Sequence, residues 1–299
     1  MIMKYYIYLV VMATIFAVGC QEFENQGIAQ EKETFEIKVA ASLPEVKALD
    51  LVNMSYEYIY AVDFNDPSEQ ELSYTSPYDI ENSMYYYTLP SGTKSLIFTN
   101  RITSSWGNYY LDTIKDFESE SLVFTRNAYY AYDDLVAGGA RISDIGEDGI
   151  LRVHLKRLVC FVTATLKFVD KDNNVLPFSD YASSAAFVVP NQAKTVACDI
   201  EGNVTISEES FNSYHVEYFS NGNICTEQPM FPTAQGLNGK VEVRLKYSDN
   251  SITYLRKELD YAFEPNKHYV LSIVVRRNDT PFDLKIESVV SETIDIQLN

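Results

Sequence analysis

Histidine is scarce in this chain, and the short motifs that mark common catalytic sites are missing. The three histidines are His154, His215 and His268. No nucleophile elbow, paired-histidine zinc motif, phosphate-binding loop or dinucleotide fingerprint occurs. These gaps predict a protein that is not an enzyme and needs no metal and no cofactor. A secreted hydrolase stays open as the last alternative, because acidic residues are plentiful enough to supply a carboxylate pair for glycoside cleavage.

Positive charge is also in short supply. The chain has 24 Lys and Arg against 42 Asp and Glu, for a formal net charge of -18. Proteins that bind nucleic acid neutralise phosphates with a basic patch, and none stands out here, so no nucleic-acid partner is expected. An acidic surface is repelled by anionic lipids, so charge does not hold the chain to a bilayer.

Helical patterns are absent, since no amphipathic stretch of about 12 residues occurs. Strand patterns replace them: Phe35, Ile37 and Val39 alternate with polar residues, and 240–247 alternate in the same way. Tyr (23) and Phe (16) are abundant, and aromatic residues favour pleated surfaces. The sequence therefore predicts an all-β protein of short strands, arranged as two tandem β-sandwiches. An acidic segment with four glycines, residues 133–149, suggests the boundary.

The expected domains are an N-terminal sandwich over residues 35–148 and a C-terminal sandwich over residues 149–299. Within the first, residues 84–89 and 95–99 flank a Pro/Gly turn and predict a hairpin. Within the second, residues 158–169 are apolar on both faces, which predicts a central strand. Residues 170–174 lack the ordered spacing of a calcium loop, so they predict a turn.

No apolar run is long enough to span a membrane. Residues 5–19, after the basic Lys4, form the longest run near the start, and a membrane helix needs about 20 residues. The small residues Ala17 and Gly19 close the run directly before Cys20 and resemble a bacterial lipobox. The pattern predicts a signal peptide over residues 1–19, lipid attached to Cys20 and acylation of the new amine.

Polar residues follow the lipidation site at once. Residues 20–34 read as a flexible tether between the lipid and the fold. Glu22 and Glu24, just after Cys20, resemble the surface-export signal of Bacteroidota lipoproteins. The expected location is therefore the cell outer membrane, with the folded part exposed at the surface.

Cysteine is too sparse for a disulfide framework. Beyond Cys20 the chain has Cys160, Cys198 and Cys225, an odd number with no zinc-site spacing. Cys160 lies inside an apolar strand pattern and is expected to be a buried free thiol. One disulfide among the three stays open as an alternative in an oxidising compartment.

Aromatic residues cluster around the lone tryptophan. Trp106, Tyr109 and Tyr110 lie within five residues of one another. Such a group either forms a platform on which a sugar ring stacks or packs between strands, and the sequence leaves both alternatives open. The first alternative predicts a glycan-binding lipoprotein of a polysaccharide-uptake system, the runner-up function.

Several segments together resemble one protein family. They are Cys20 with its lipobox and residues 87–100, 151–162 and 263–275. In combination they are similar to the fimbrillin-related lipoproteins of Bacteroidota, especially the minor-fimbrium anchor and accessory subunits. The resemblance implies two transthyretin-like β-sandwiches and a place in a fimbrium (pilus). It also implies other fimbrial subunits as partners, joined by exchange of β-strands.

Two further expectations depend on that resemblance. Shaft subunits of the family are typically cut after an arginine near the N-terminus, which removes a strand, but residues 20–100 contain no arginine and Arg101 is the first. The departure favours an anchor or accessory subunit that keeps its lipid. The C-terminal residues Ile294, Ile296 and Leu298 alternate as a candidate exchanged strand, or they pair within their own domain.

Overall fold

The structure of the protein is a computed structural model that describes residues 33–42, 58–64, 74–79, 81–82, 84–101, 111–126, 134–180, 182–211, 217–218, 224–277 and 284–295. The described residues form β-strands and two single 3-10 turns, Ile142–Asp144 and Phe178–Asp180, with no α-helix among them. The prediction of an all-β fold is confirmed. Within these residues, no helix is long and apolar enough to cross a bilayer.

The strands of the first half are β1 Thr34–Ser42, β2 Tyr58–Asp63, β3 Tyr74–Pro77, β4 Tyr85–Pro90, β5 Ser95–Thr99, β6 Leu111–Asp116, β7 Ser121–Arg126, β8 Val136–Arg141, β9 Ile150–His154 and β10 Lys156–Arg157. Those of the second half are β11 Cys160–Val169, β12 Val175–Leu176, β13 Ser184–Val188, β14 Gln192–Ala193, β15 Thr195–Asp199, β16 Val204–Ile206, β17 Ser210–Phe211, β18 Glu217–Tyr218, β19 Ile224–Met230, β20 Lys240–Lys246, β21 Ile252–Glu258, β22 Lys267–Arg277 and β23 Leu284–Asp295.

Two sheets form the N-terminal sandwich. Sheet I has the strand order β4-β1-β9, and sheet II has the order β10-β8-β5-β2-β3. Their facing side chains, among them Val39, Leu89 and Phe98, are fully buried between the sheets. Strand β1 lies in the middle of sheet I, antiparallel to β4 and parallel to β9. The alternation at Ile37 and Val39 thus places apolar side chains on the core side of a central strand.

The predicted hairpin over residues 84–99 is wrong. Strand β4 belongs to sheet I, whereas β5 belongs to sheet II and pairs with β2 and β8. The turn at Pro90 and Thr93 therefore carries the chain from one sheet to the other. Leu89 and Leu96 lie on either side of this turn and are buried in the same core. The local turn signal was correct, but burial against the facing sheet decided the partner of each strand.

A third sheet combines strands that are distant in sequence. Sheet III has the order β16-β15-β7-β6, so the hairpin of β6 and β7 pairs with strands from residues 195–206. It packs on the other face of sheet II through what we call the junction core. This core consists of Val62, Phe64, Ile97, Leu122, Phe124, Leu135, Ala137, Leu158, Val159, Phe161, Val196, Cys198, Ile200 and Phe231.

A buried ion pair lies beside the junction core. The Arg157 Nε and Nη2 atoms donate to the two carboxylate oxygens of Asp134 at 2.7 and 2.8 Å, and both side chains are 4% exposed. The Arg157 guanidinium also lies 5.4 Å from the ring centre of Phe161 and donates to Asn266 Oδ1. The pair thus links strand β10 to residues from both halves of the chain.

The C-terminal sandwich has two further sheets around one core. Sheet IV has the order β12-β11-β22-β23, with β19 also paired to β11, and sheet V has the order β18-β13-β20-β21. Strand β11 is hydrogen bonded on both edges, so the predicted central strand is confirmed. Cys160 and Leu245 are examples of the buried side chains between the sheets. A small pair, β14 with β17, lies outside these sheets.

The strand pairs run across the predicted division between residues 148 and 149. Strands β9 and β10 follow this division yet pair with β1 and β8, and β7 precedes it yet pairs with β15. Backbone hydrogen bonding alone therefore does not separate two units there, and the placement of the boundary stays a prediction.

Candidate assembly surfaces

The first strand is held along both edges. Its register with β4 runs from Thr34 opposite Pro90 to Val39 opposite Tyr85, and its register with β9 ends at Ser42 opposite His154. The Ser42 hydroxyl lies 2.7 Å from His154 Nδ1, which ties the end of β1 to its neighbour. Removing β1 would leave an open slot between β4 and β9, lined by buried apolar side chains.

The predicted lipid site lies outside the described residues. The structure describes the chain from residue 33, where the Glu33 carbonyl accepts a hydrogen bond from Ser91. Lipid attachment to Cys20, the signal peptide over residues 1–19 and most of the tether over residues 20–34 therefore stay predictions. The first strand of the described chain, β1, begins at Thr34.

The candidate exchanged strand is partly described. Strand β23 pairs along its length with β22, antiparallel, and its Ile294 lies opposite His268. Ile296 and Leu298 lie outside the described residues. Strand β23 is the last strand of sheet IV, and among the described residues no strand pairs with its second edge. Pairing within its own sheet is thus the arrangement in this chain, and exchange with a partner stays a prediction.

The proposed glycan platform is not described either. Trp106, Tyr109 and Tyr110 fall in the undescribed segment between β5 and β6. Stacking on a sugar and packing between strands therefore both stay predictions for these residues.

The described histidines do not converge on one another. His154 is exposed at the end of β9, whereas His268 is buried and its Nε2 lies 3.0 Å from the Thr163 hydroxyl. Burial lowers the pKa of His268 because the charged imidazolium is poorly solvated there. His215 lies outside the described residues. Within the described ranges, no cluster of three His, Cys, Asp or Glu side chains could hold a metal ion.

The two cysteines whose side chains the structure describes are buried thiols. Cys160 and Cys198 are both free, as the sequence predicted for Cys160. Burial raises the pKa of both, and the pKa of Cys198 is about 12, so neither is a reactive thiolate near neutral pH. Any disulfide among these two and Cys225 would need one of them, so that alternative is wrong.

The predicted turn after β11 is confirmed. The Asp170 carboxylate accepts hydrogen bonds from the backbone of Asp172 and from the backbone and side chain of Asn174. These bonds lower the pKa of Asp170 and close the turn, with Asn173 in the left-handed region. Arg276 then donates to the Asp170 carbonyl and the Asn173 side chain, so the turn is tied to β22.

One cluster on sheet V was missed by the sequence reasoning. Glu242 is 4% exposed, and its two carboxylate oxygens accept hydrogen bonds from Arg244 Nε at 2.6 Å and Arg256 Nε at 2.5 Å. Both guanidinium groups also lie over the ring of Tyr254, at 5.6 and 5.7 Å from its centre. We call these four residues the basic–aromatic cluster. The alternation of charged residues along β20 and β21 was its only sequence signal.

The charge of this cluster is set by its hydrogen bonds. Burial of the Glu242 carboxyl acts to raise its pKa, but hydrogen bonds from Arg256 and Arg244 outweigh burial and leave the pKa below its ordinary value. Glu242 therefore stays ionised at neutral pH. One carboxylate then faces two guanidinium groups, which leaves the cluster with one net positive charge.

Two sequence comparisons find no match to this chain. No protein-family model matches it. No curated protein matches it either.

Solved structures share the fold. A proposed adhesin from Bacteroides ovatus has a TM-score of 0.54 at 9% identity, covering 89% of this chain and 94% of its own. A proposed cell adhesion protein from Bacteroides ovatus has a TM-score of 0.52 at 9% identity, covering 89% and 99%. A proposed adhesin from Bacteroides thetaiotaomicron has a TM-score of 0.51 at 8% identity, covering 87% and 97%. The chain thus has the fold of these proteins over nearly their whole length.

Proposed function

We propose that this chain is a lipid-anchored cell-surface protein that serves as the anchor or an accessory subunit of a fimbrium, assembled by β-strand complementation. The role needs no catalytic group. Backbone edges of the sheets and a few surface side chains make the contacts with other subunits.

The shared fold supports the surface role. Proteins with this architecture include some named as adhesins and cell adhesion proteins, and the alignment covers 87% or more of this chain in each of the three cases. The lipobox at Cys20 independently supports location at the outer membrane. The names of the proteins that share the fold and the lipobox-like segment thus support the same proposal from independent observations.

The position of β1 is the observation that carries the anchor role. The tether predicted over residues 20–34 leads into β1, and β1 is hydrogen bonded to β4 and β9. Hydrogen bonds between strands lie across the strand direction, so a force along the chain from the lipid loads many of them together. With no arginine between residues 20 and 100, an arginine-specific protease does not release this strand.

Membrane retention tests the lipid part of the proposal. In cells that express Cys20→Ala, the protein is expected in the soluble fraction, because a chain without acyl groups has no stable hold on the bilayer. The matched control is Cys225→Ala, which removes another cysteine and leaves the lipobox intact. Continued membrane retention of Cys20→Ala would contradict the lipid anchor.

Complex formation tests strand complementation. Fimbrial shaft subunits from the same cells are mixed with the purified protein, and stable complexes are measured by size-exclusion chromatography. A variant that ends at residue 292 lacks the candidate exchanged strand and is expected to lose a complex in which this chain donates it. If the truncated and complete chains bind all subunits equally, residues 293–299 are not the exchanged strand.

A further inference from the structure

The outer face of sheet V concentrates positive charge on an acidic protein. The inward residues Val241, Val243 and Leu245 of β20 belong to the C-terminal core, so the intervening residues face outward. The register of β20 with β21 then places four basic and two acidic side chains on this face, together with two exposed apolar ones. They are Lys240, Glu242, Arg244, Lys246, Ile252, Tyr254, Arg256 and Glu258.

The two arginines are held in place before any ligand binds. Their Nε atoms donate to the Glu242 carboxylate, and Tyr254 lies against both guanidinium groups. Ordering a long side chain costs about 2 kcal/mol of conformational free energy, and here the ordering precedes binding. The Nη groups of both arginines make no hydrogen bond to any described residue, so they are available to an oxygen ligand.

The ligand chemistry follows from these donors and from their apolar neighbours. Guanidinium groups bind carboxylates through paired hydrogen bonds. Ile252 is 47% exposed and Tyr254 is 51% exposed beside them. An aliphatic side chain contributes little to binding a hydroxyl-rich sugar, whereas arginine, tyrosine and apolar side chains together are typical of protein contacts. The positive guanidinium groups attract negative charge, and Ile252 and Tyr254 offer an apolar surface beside them. The cluster therefore favours a protein ligand that carries carboxylates next to an apolar side chain.

We propose that the basic–aromatic cluster binds an acidic segment of a neighbouring protein subunit, with carboxylates on the guanidinium Nη groups and an apolar side chain on Tyr254 and Ile252. This inference rests on the proposed function and deepens it, because it assigns a side-chain contact in addition to strand pairing. The contact lies on the face of sheet V, so it does not use the slot of β1 or the edge of β23.

A peptide titration tests the site directly. The probe is the blocked peptide Asp-Phe-Glu-Ser-Glu, and the control peptide is Asn-Phe-Gln-Ser-Gln, which has the same shape without charge. Nitrogen-15 NMR of the purified protein is expected to show saturable shifts of the Arg244 and Arg256 Nε–H signals with the acidic peptide alone. Raising NaCl to about 0.5 M weakens the binding, because salt screens exposed charges.

Matched variants separate this site from general charge. Arg256→Gln is expected to bind the acidic peptide about tenfold more weakly, which corresponds to the loss of one charged hydrogen-bonding partner. Arg152→Gln is the control, because its side chain is also 59% exposed and ion-paired but lies on sheet I. Its affinity is expected to equal that of the unmodified chain.

Glu242→Gln tests whether peptide binding needs the fixed positions of the two arginines or only their positive charge. The substitution raises the net charge of the cluster but weakens the hold on both arginines. Weaker peptide binding is the expected result, since the guanidinium groups then lose their fixed positions. Tighter binding would show that charge alone attracts the peptide and would overturn the site. Thermal unfolding of each variant verifies that the fold is intact.

Besides tighter binding by Glu242→Gln, three outcomes would overturn the proposal. One is equal affinity of Arg256→Gln and the unmodified chain, and another is equal affinity for the acidic and neutral peptides. The third is Arg256-dependent binding of polygalacturonate without binding of the peptide, which would assign the site to acidic polysaccharide. The titration uses purified protein, so it fails or succeeds independently of the membrane-retention test with Cys20→Ala.

Discussion

Strand β5 in sheet II and strand β21 in sheet V differ in how many faces they bury. All five residues of β5, Ser95–Thr99, are buried, because the N-terminal core covers one face and the junction core covers the other. In β21, Ile252–Glu258, Leu255 is buried, whereas Ile252, Tyr254, Arg256 and Glu258 are exposed. A strand between two layers thus has no surface for a partner, while a strand at the outer layer has one.

The difference indicates which substitutions are expected to change stability and which are expected to change binding. Side chains in the layers around the junction core hold three sheets together, so changes there are expected to act on stability. The exposed side chains on the outer face of sheet V, such as Tyr254, contact solvent, so changes there are expected to act on binding. The two ion pairs differ in the same way. Asp134 and Arg157 are both buried, whereas in the other pair Glu242 is buried and Arg256 is exposed.

The largest expected effect is the loss of the buried ion pair. Arg157→Leu leaves the Asp134 carboxylate buried without its guanidinium, which is expected to lower the free energy of unfolding by about 3–5 kcal/mol. Arg256→Leu on sheet V is expected to cost less than about 1 kcal/mol, because Arg244 still pairs with Glu242. Urea denaturation of both variants measures the difference. Equal losses of unfolding free energy in the two variants would contradict the contrast between the buried and the exposed ion pair.

A matched isoleucine pair tests the strands themselves. Ile97→Ala in β5 removes a fully buried side chain from the junction core and is expected to cost about 2–5 kcal/mol. Ile252→Ala in β21 removes one that is 47% exposed and is expected to change stability by less than about 0.5 kcal/mol. The same denaturation experiment compares them, and a small cost at Ile97 would contradict the two-sided burial of β5.

Gly139 tests how closely sheet III approaches sheet II. A Cβ atom on Gly139 would clash with the Ile200 carbonyl oxygen, a backbone atom of the turn between β15 and β16. Gly139→Ala is therefore expected to cost about 1–3 kcal/mol by forcing the sheets apart. Gly92→Ala is the control, because nothing lies within 4 Å of its added Cβ. If Gly139→Ala melts at the temperature of Gly92→Ala, the close approach is absent.

The smallest expected effect is a pH dependence from Glu242. Its pKa is lower in the folded chain than in the unfolded chain, so it contributes stability above the ordinary pKa of glutamate, 4.5, and that contribution is lost as pH falls. Several exposed carboxylates also titrate there, so the informative quantity is the difference between the unmodified chain and Glu242→Gln. The variant is expected to lose less stability between pH 6 and pH 3 in thermal melts. Parallel curves would contradict the shift.

The local features of the fold were predictable where one segment of chain decides them. The alternation over residues 240–247 predicts a strand with one face toward a core, and β20 occupies Lys240–Lys246 with Val241, Val243 and Leu245 in the C-terminal core. The apolar run of β11 predicts a strand with two neighbours, which it has. In both cases the pattern of side chains along the strand records which faces and edges are covered.

The partners of other strands were not predictable in this way. The hairpin expected across Pro90 failed because β4 and β5 bury Leu89 and Leu96 between two sheets rather than side by side in one. Pairing of β7 with β15 joins segments about 75 residues apart, and no local signal specifies such a contact. Of the candidate site residues predicted from the sequence, only Ile294 lies within the described chain. Lipid attachment to Cys20 and the glycan platform therefore stay predictions.

The sequence by itself determined that the chain is built from strands, which of their residues face a core, and where Cys160 is buried, because side-chain period and composition act along a single strand. It also contains the lipobox-like segment before Cys20 on which the anchor prediction depends. The tertiary structure alone decided that β1 lies between β4 and β9 and that sheet II is covered on both faces. It alone also brought Glu242 together with Arg256. Such arrangements arise from packing between segments distant in sequence, where the lowest free energy belongs to the assembly of sheets and not to any one strand.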